Sequence, residues 1–340
     1  MKKGSATITD VARHAGVSIA TVSRVLNNSG VVSPEAAEKV NRSIKELSYE
    51  MNALASGLKR GKTKVIGLII PRLTNVFFMQ VLEGLEAVVS ESGYSIILSV
   101  SENDPEKEKK MFDKMSSYMV DGLVIATSTT DGTMFNEGNL PIVLIDRRLK
   151  DAKVDMVTDE NYLSSRKLAR IVIEAGHRRV SVANGLLPHL PFMQERFNAC
   201  KDALEEAGIP LEERYIVEGK KGRNVTLSEV SAILAEWKEK EIMPTAMISL
   251  NGKLTENIMT AARKLGIRVP EDLSLVSFGQ LSSELIEPKV TAVIQDGHRI
   301  GRKAGELLMA KLEGEGRAMY NSEVIFNCEI EEGNSVKKLE

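Results

Sequence analysis

The 340-residue chain holds two cysteines, one tryptophan and four histidines, and only 4% of it is aromatic. Cys200 and Cys328 are isolated, without CxxC or metal-ligand spacing, so they read as packing thiols in a reducing compartment rather than as a disulfide framework. His14, His177, His189 and His298 form no cluster, and no metal is expected. The chain has no GxGxxG, GxSxG or HExxH. Ser56 stands where a phosphate loop ending in Gly61-Lys62-Thr63 requires its first glycine. No motif therefore points to catalysis, and neither an enzyme nor a cofactor is expected. Long apolar runs are missing too. None approaches a membrane span, and the opening MKKGSATITD lacks the apolar stretch of a secretory signal, so the expected location is the cytoplasm with no membrane partner.

With 43% apolar and 27% charged residues, the chain is long enough for two or three units with cores of their own. Its charge is unevenly spread. Residues 1–62 carry ten Lys and Arg against five Asp and Glu, a balance of +5, whereas the whole chain is −2, which leaves −7 for residues 63–340. A basic head on an acidic body is the footprint of a phosphate-binding module joined to a domain with another task.

The head is legible residue by residue. Thr7 is a helix N-cap with Asp10 three positions on, and Val11, Ala12 and Ala15 follow at helical spacing. Gly16 ends that helix, and Ser18 caps a second one that turns Val22, Val25 and Leu26 inward. Two helices joined by so short a turn read as a helix-turn-helix, in which the second helix enters the major groove of DNA. Its outward residues are Ile19, Ala20, Ser23 and Arg24. An ordinary helical hairpin with a solvated face is the competing reading. Ser33-Pro34-Glu35 then starts a third helix, with Val40, Ile44 and Leu47 closing a small core. The segment Asn52–Lys59, containing Ala55, Gly57 and Leu58, is too short to form a stable helix alone.

From Val65 short apolar strands alternate with helices. Strands are expected at 65–70, 95–100, 122–127, 142–146, 180–184, 246–251 and 273–278. Helices are expected near 77–92, 105–118, 163–175, 193–207, 225–238 and 255–265. Such alternation means parallel sheets with helices on both faces, here two doubly wound lobes in series with a default ligand cleft between them.

TITDVARHAGVSIATVSRVLNN, YEMNALASGLKRGKTKVIGLIIP, GHRRV and RVPEDLSLVSF together resemble the LacI/GalR family of bacterial transcription regulators, from about Thr7 to about Glu313. The resemblance implies an N-terminal all-α helix-turn-helix head (1–50), a hinge helix or linker (51–62) and an α/β periplasmic-binding-protein-like core (63–340). The core would divide into an N-lobe of about 63–161 and 293–322 and a C-lobe of about 162–290 and 323–340, with crossings near Asp159, Thr291 and Ser322. It further implies a homodimer on a pseudo-palindromic double-stranded operator. A tetramer is not expected, because the tail EEGNSVKKLE is too short for a heptad zipper. Ile19, Ala20 and Arg24 are then candidates for base edges, and Thr7, Ser18, Thr21, Ser23 and Asn27 for the phosphate backbone. In the hinge, Leu58 matches the residue that wedges into the minor groove, with Asn52 and Ala55 beside it.

For the effector, the matching positions are Arg72, Asn75 and Phe77 after the first strand, Asp146 and Arg147 after the fourth, Arg196 on a C-lobe helix, and Asn251 and Gln280 at later strand ends. This chain departs from the family at Arg72, where an acidic or polar residue is common, and at Ser277-Phe278-Gly279-Gln280, which replaces a GFDD-like motif and lacks the carboxylate that usually binds sugar hydroxyls. Both changes favour an anionic ligand, because guanidinium forks match carboxylate and phosphate. The expected effector is a sugar acid such as a ketodeoxy-aldonate, and the expected role is repression of a carbohydrate-utilisation operon. A core that reads a neutral sugar or a protein partner stays open. So does a cytoplasmic solute-binding sensor with its N-terminal helices as a dimerisation cap.

Overall fold

A computed structural model describes residues 6–26, 29–49, 62–117, 120–185, 190–219, 224–283, 287–314 and 321–340. The chain divides into two units, Met1–Thr63 and Lys64–Glu340.

In the first unit, α1 (Ile8–Ala15) begins at a capping box. The Thr7 Oγ1 accepts from the Asp10 N–H at 3.3 Å, and the Asp10 carboxylate accepts from the Thr7 N–H at 3.0 Å. Gly16 ends the helix in the left-handed conformation at φ 67°, which costs glycine nothing because it has no Cβ. Next come α2 (Ile19–Leu26) and α3 (Pro34–Glu46), the latter capped by Ser33 with proline in its first turn. Val11, Ala12, Ala15, Val22 and Val40 are buried between the three helices, and the small Ala12 and Ala15 allow close approach. His14 adds a polar tie: its Nδ1 lies 3.0 Å from Ser43 Oγ, linking α1 to α3.

The second unit contains two six-stranded sheets. In the N-lobe, β1 (Val65–Ile70), β2 (Ser95–Val100), β3 (Gly122–Ile125), β4 (Ile142–Ile145), β5 (Asp155–Asp159) and β11 (Glu323–Phe326) are parallel, in the order β11-β5-β4-β3-β1-β2. The C-lobe contains β6 (Val180–Asn184), β7 (Ile216–Glu218), β8 (Ala246–Ser249), β9 (Ser274–Phe278), β10 (Thr291–Ile294) and β12 (Glu329–Glu331). Their order is β12-β10-β9-β8-β6-β7, with β12 antiparallel to β10. Helices α4 (Val76–Val89) and α5 (Pro105–Ser117) belong to the N-lobe; α6 (Asn161–Glu174), α7 (Pro191–Glu206), α8 (Leu227–Glu239) and α9 (Gly252–Lys264) belong to the C-lobe; and α10 (Gly297–Glu313) returns to the N-lobe. Each sheet carries apolar clusters on both faces, as expected of sheets buried between helix layers.

Two lobe limits differ from expectation. Thr291–Ile294 pairs with β9, so the C-lobe runs past 290 and the chain crosses at Gln295-Asp296. Glu323–Phe326 pairs with β5, so these residues belong to the N-lobe sheet and the last crossing falls at Asn327-Cys328 instead of near Ser322. Backbone ladder bonds decide both: strands of three or four residues join whichever edge offers unpaired N–H and C=O groups.

The cleft wall of the N-lobe depends on one unusually close helix pair. A Cβ on Gly301 would lie 2.1 Å from the Val81 carbonyl oxygen, and one on Gly297 2.4 Å from that of Phe77. Only glycine lets α10 approach α4 this closely.

Candidate DNA-reading helix and interlobe cleft

Of the four side chains expected to face outward on α2, Ile19, Ala20 and Arg24 are exposed and Ser23 is not. Ile19 is 44% exposed despite its apolar side chain, and Ala20 and Arg24 are exposed beside it, while Val22 is fully buried on the opposite side. Thr21 and Ser23 are half-buried. Ser18 Oγ accepts from the Thr21 N–H at 3.1 Å and lies 2.9 Å from Thr21 Oγ1, so these two hydroxyls organise the first turn. Thr7 is exposed and engaged with Asp10. Asn27, Asn52, Ala55 and Leu58 lie outside the described residues, as does the expected hinge segment apart from Lys62.

In the second unit the carboxyl ends of the strands face one another across a cleft of about 310 Å³, at the low end of the range for small-ligand sites. All eight sequence-chosen positions line it: Arg72, Asn75 and Phe77 after β1, Asp146 and Arg147 after β4, Arg196 on α7, and Asn251 and Gln280 after β8 and β9. Their situations differ. Asn75 Oδ1 accepts from the Phe77 N–H at 3.1 Å, and Asn251 Oδ1 accepts from the Leu254 N–H at 3.2 Å. Each thus caps a helix whose N-terminus opens on the cleft. Gln280 reaches across the lobes, donating from Nε2 to Gln80 Oε1 on α4 at 3.0 Å. Arg72 is exposed at the rim.

Arg147 and Arg196 are buried, at 4% and 3% exposure, where an unpaired charge is costly. Arg147 donates to the Thr127 carbonyl and to Asn103 Oδ1, and its Nε stands 3.6 Å from Asp146. Among the described residues that Nε has no hydrogen-bond acceptor. Arg196 donates to Asn161 Oδ1 at 2.7 Å and to the Leu250 carbonyl at 3.1 Å, and lies 3.5 Å above the Phe278 ring. Burial pulls its pKa down to about 10. The charged lining comprises Arg72, Arg147, Arg196 and Lys253 against Asp146 and Glu256. Lys253 pairs with Glu256 at 2.8 Å and Arg147 with Asp146, whereas neither Arg72 nor Arg196 forms an ion pair among the described residues.

At the lobe crossings, Gln295 Nε2 donates to Asp159 Oδ2 at 2.8 Å and lies 3.4 Å from Asp146 Oδ1. Burial pushes the Asp159 carboxyl up to about 6, and the neighbouring Asp146 charge acts in the same direction.

Comparison with known proteins decides the family. Residues 7–52 match the model of bacterial regulatory proteins, lacI family, and residues 169–336 match the periplasmic binding protein-like domain. The HTH-type transcriptional regulator KdgR of Bacillus subtilis (strain 168) is 31% identical over 332 residues, 95% of this chain and 97% of that protein. The chain belongs to the LacI family of bacterial transcription regulators. A solved LacI-family regulator from Silicibacter pomeroyi superposes with a TM-score of 0.81 at 26% identity, over 98% of this chain and 99% of that one. A transcriptional regulator CelR–cellobiose complex superposes at 0.70 with 25% identity, over 97% and 99%.

This LacI-family chain is therefore a ligand-responsive, DNA-binding transcription regulator, with a helix-turn-helix head and a two-lobed core, and its relatives are regulators rather than enzymes. Among the described residues no helix is long and apolar enough to cross a membrane. The cleft also contains residues that sequence reading missed. Asn103, at φ 60° in the turn after β2, carried a signal, since asparagine tolerates the left-handed region. Phe192 could have been found as the residue four before Arg196 on one helix face. Lys253 follows Gly252 directly after the Asn251 cap. Gln295 carried no local signal, because only the lobe crossing brings it to Asp159.

Proposed function

We propose that this protein represses a carbohydrate-utilisation operon, binding a pseudo-palindromic operator as a homodimer and releasing or tightening its hold when an anionic sugar, a sugar acid such as a ketodeoxy-aldonate, enters the cleft. The supporting observation is the buried Arg196, which has hydrogen bonds and aromatic faces about it but no paired carboxylate among the described residues, with Arg72 at the rim adding a second cation. A bound carboxylate adds a direct ion pair to a guanidinium that Asp146 and Asp159 otherwise reach only from beyond contact, in a low-dielectric site. Ile19, Ala20 and Arg24 read base edges, Ser18, Thr21 and Ser23 hold the backbone with Thr7 nearby, and Asn27, Asn52, Ala55 and Leu58 are the further DNA contacts of this reading.

A neutral sugar is the second reading, favoured by the Arg147–Asp146 pair, which already balances one buried guanidinium, and by a relative whose solved complex contains cellobiose. On that reading Asn251, Asp146 and Arg196 hold hydroxyls, and Arg72 faces solvent. Calorimetric titration of wild type and Arg72→Ala with matched acidic and neutral sugars, repeated with operator DNA present, separates the two. Tighter binding of the acid, weakened in the variant, is expected. A neutral sugar that binds equally well and is indifferent to the substitution overturns the anionic reading.

A further inference from the structure

The Phe192 ring, in the first turn of α7, is approached by two buried guanidiniums that come from different lobes. Arg147 Cζ is 5.3 Å from the ring centroid and Arg196 Cζ 5.1 Å. Arg196 stands four residues further along the same helix, so its contact with the ring is internal to the C-lobe. Arg147 follows β4 of the N-lobe and reaches the ring only across the cleft. Both distances fall within cation–π range, where the negative face of the ring offsets part of the repulsion between two cations in a poorly solvated site. Arg147 is otherwise held by Thr127, Asn103 and the Asp146 carboxylate, which forms an ion pair with its Nε at 3.6 Å, too long for a hydrogen bond.

We propose that Phe192 is a specificity-determining and positioning residue: it gathers Arg147 and Arg196 into one anion seat spanning both lobes, complete only when the lobes are closed. The proposal rests on the anionic-effector reading and extends it to regulation. Opening takes Arg147 away from the ring while Arg196 stays with it, so a ligand carboxylate touching both guanidiniums binds the closed arrangement better than the open one. Differential affinity of that kind is what a ligand needs to shift a conformational equilibrium. A neutral ligand, with no charge to share between the two, gains less from closure. The ring itself makes no bond to the ligand and acts through the arginines.

The test uses the full chain and the variants Phe192→Leu, which keeps apolar bulk without a ring, and Phe192→Tyr, which keeps the ring. Without any ligand, the Nε–H resonances of the two arginines are assigned in ¹⁵N spectra from Arg147→Lys and Arg196→Lys. Phe192→Leu should move both resonances, and Phe192→Tyr should restore both; a shift confined to Arg196 overturns the bridge between lobes. With ligand, D-galacturonate is compared with D-galactose, and D-gluconate with D-glucitol. Phe192→Leu should weaken the bound acid about tenfold while leaving its neutral counterpart within about twofold, and should abolish the acid's effect on operator affinity. Equal loss for acid and neutral sugar reduces Phe192 to packing and overturns the proposal. If wild type prefers the neutral member of every pair or binds none of the four, the anionic reading fails by itself, and the ligand-free spectra still decide whether the ring joins the two arginines.

Discussion

Gln280 of the C-lobe and Gln80 of the N-lobe helix α4 are joined by a hydrogen bond of 3.0 Å between residues 200 positions apart. A residue that lines the cleft thus also makes a contact that ties the lobes together. Gln280→Leu should loosen the closed arrangement by roughly 0.5–1.5 kcal/mol, the net worth of a typical hydrogen bond, or about two- to tenfold in the closed-to-open ratio. A double-mutant cycle with Gln80→Leu, read by effector affinity and small-angle scattering, measures the coupling. Purely additive effects would mean that the contact has no part in closure.

Arg24 is exposed on the outward face of α2, opposite the buried Val22. Arg24→Ala should cost about 1–3 kcal/mol on the cognate operator and little on random DNA, because a bidentate base contact carries discrimination and a phosphate contact does not. Fluorescence anisotropy on both DNAs at fixed salt checks it. Equal losses would assign Arg24 to the phosphate backbone.

Asp159 is expected to make stability depend on pH. Its carboxyl binds a proton more tightly in the folded protein, at about 6, than in the unfolded chain, where 3.8 is the ordinary value. Its contribution is therefore most favourable below about pH 4 and is lost as pH rises through about 6, a change of roughly 3 kcal/mol. In Asp159→Asn this slope should vanish, so the variant gains on wild type between about pH 4 and pH 6 in thermal unfolding and keeps that gain above. Parallel profiles for the two proteins would refute the assignment.

Gly301 admits no Cβ, since one would sit 2.1 Å from the Val81 carbonyl oxygen. Gly301→Ala must push α10 from α4, and about 1–3 kcal/mol of destabilisation in urea is expected from such overpacking. Because Gly297 on the same helix abuts the Phe77 carbonyl at the cleft wall, effector affinity should fall as well. Wild-type stability in the variant would show that the helices can part without strain.

Local chemistry was enough to specify the head. Caps at Thr7, Ser18 and Ser33, the glycine at position 16 and the apolar spacing from Val11 to Leu47 all act within a few residues of one another, and the helices in the structure begin and end where those signals stand. The same holds for the longer buried strands such as Val65–Ile70 and Val180–Asn184, whose unbroken apolar runs mark them. Strand-end position, taken together with the family resemblance, led to the eight cleft residues, because parallel sheets place ligand sites at their carboxyl ends; Arg196, inside α7, came from the resemblance alone. The sequence did not place Thr291–Ile294 and Glu323–Phe326 in their correct lobes: four residues are too few to show a period, and their partners lie elsewhere in the chain. Glu329–Glu331 lies in the C-lobe as expected. Nor could it tell the buried Arg147 from the exposed Arg72, or place Arg147 and Arg196 on the same ring. Burial and contact of that kind depend on how two separately folded sheets meet, so the charge of the cleft was settled only by the packing of one lobe against the other.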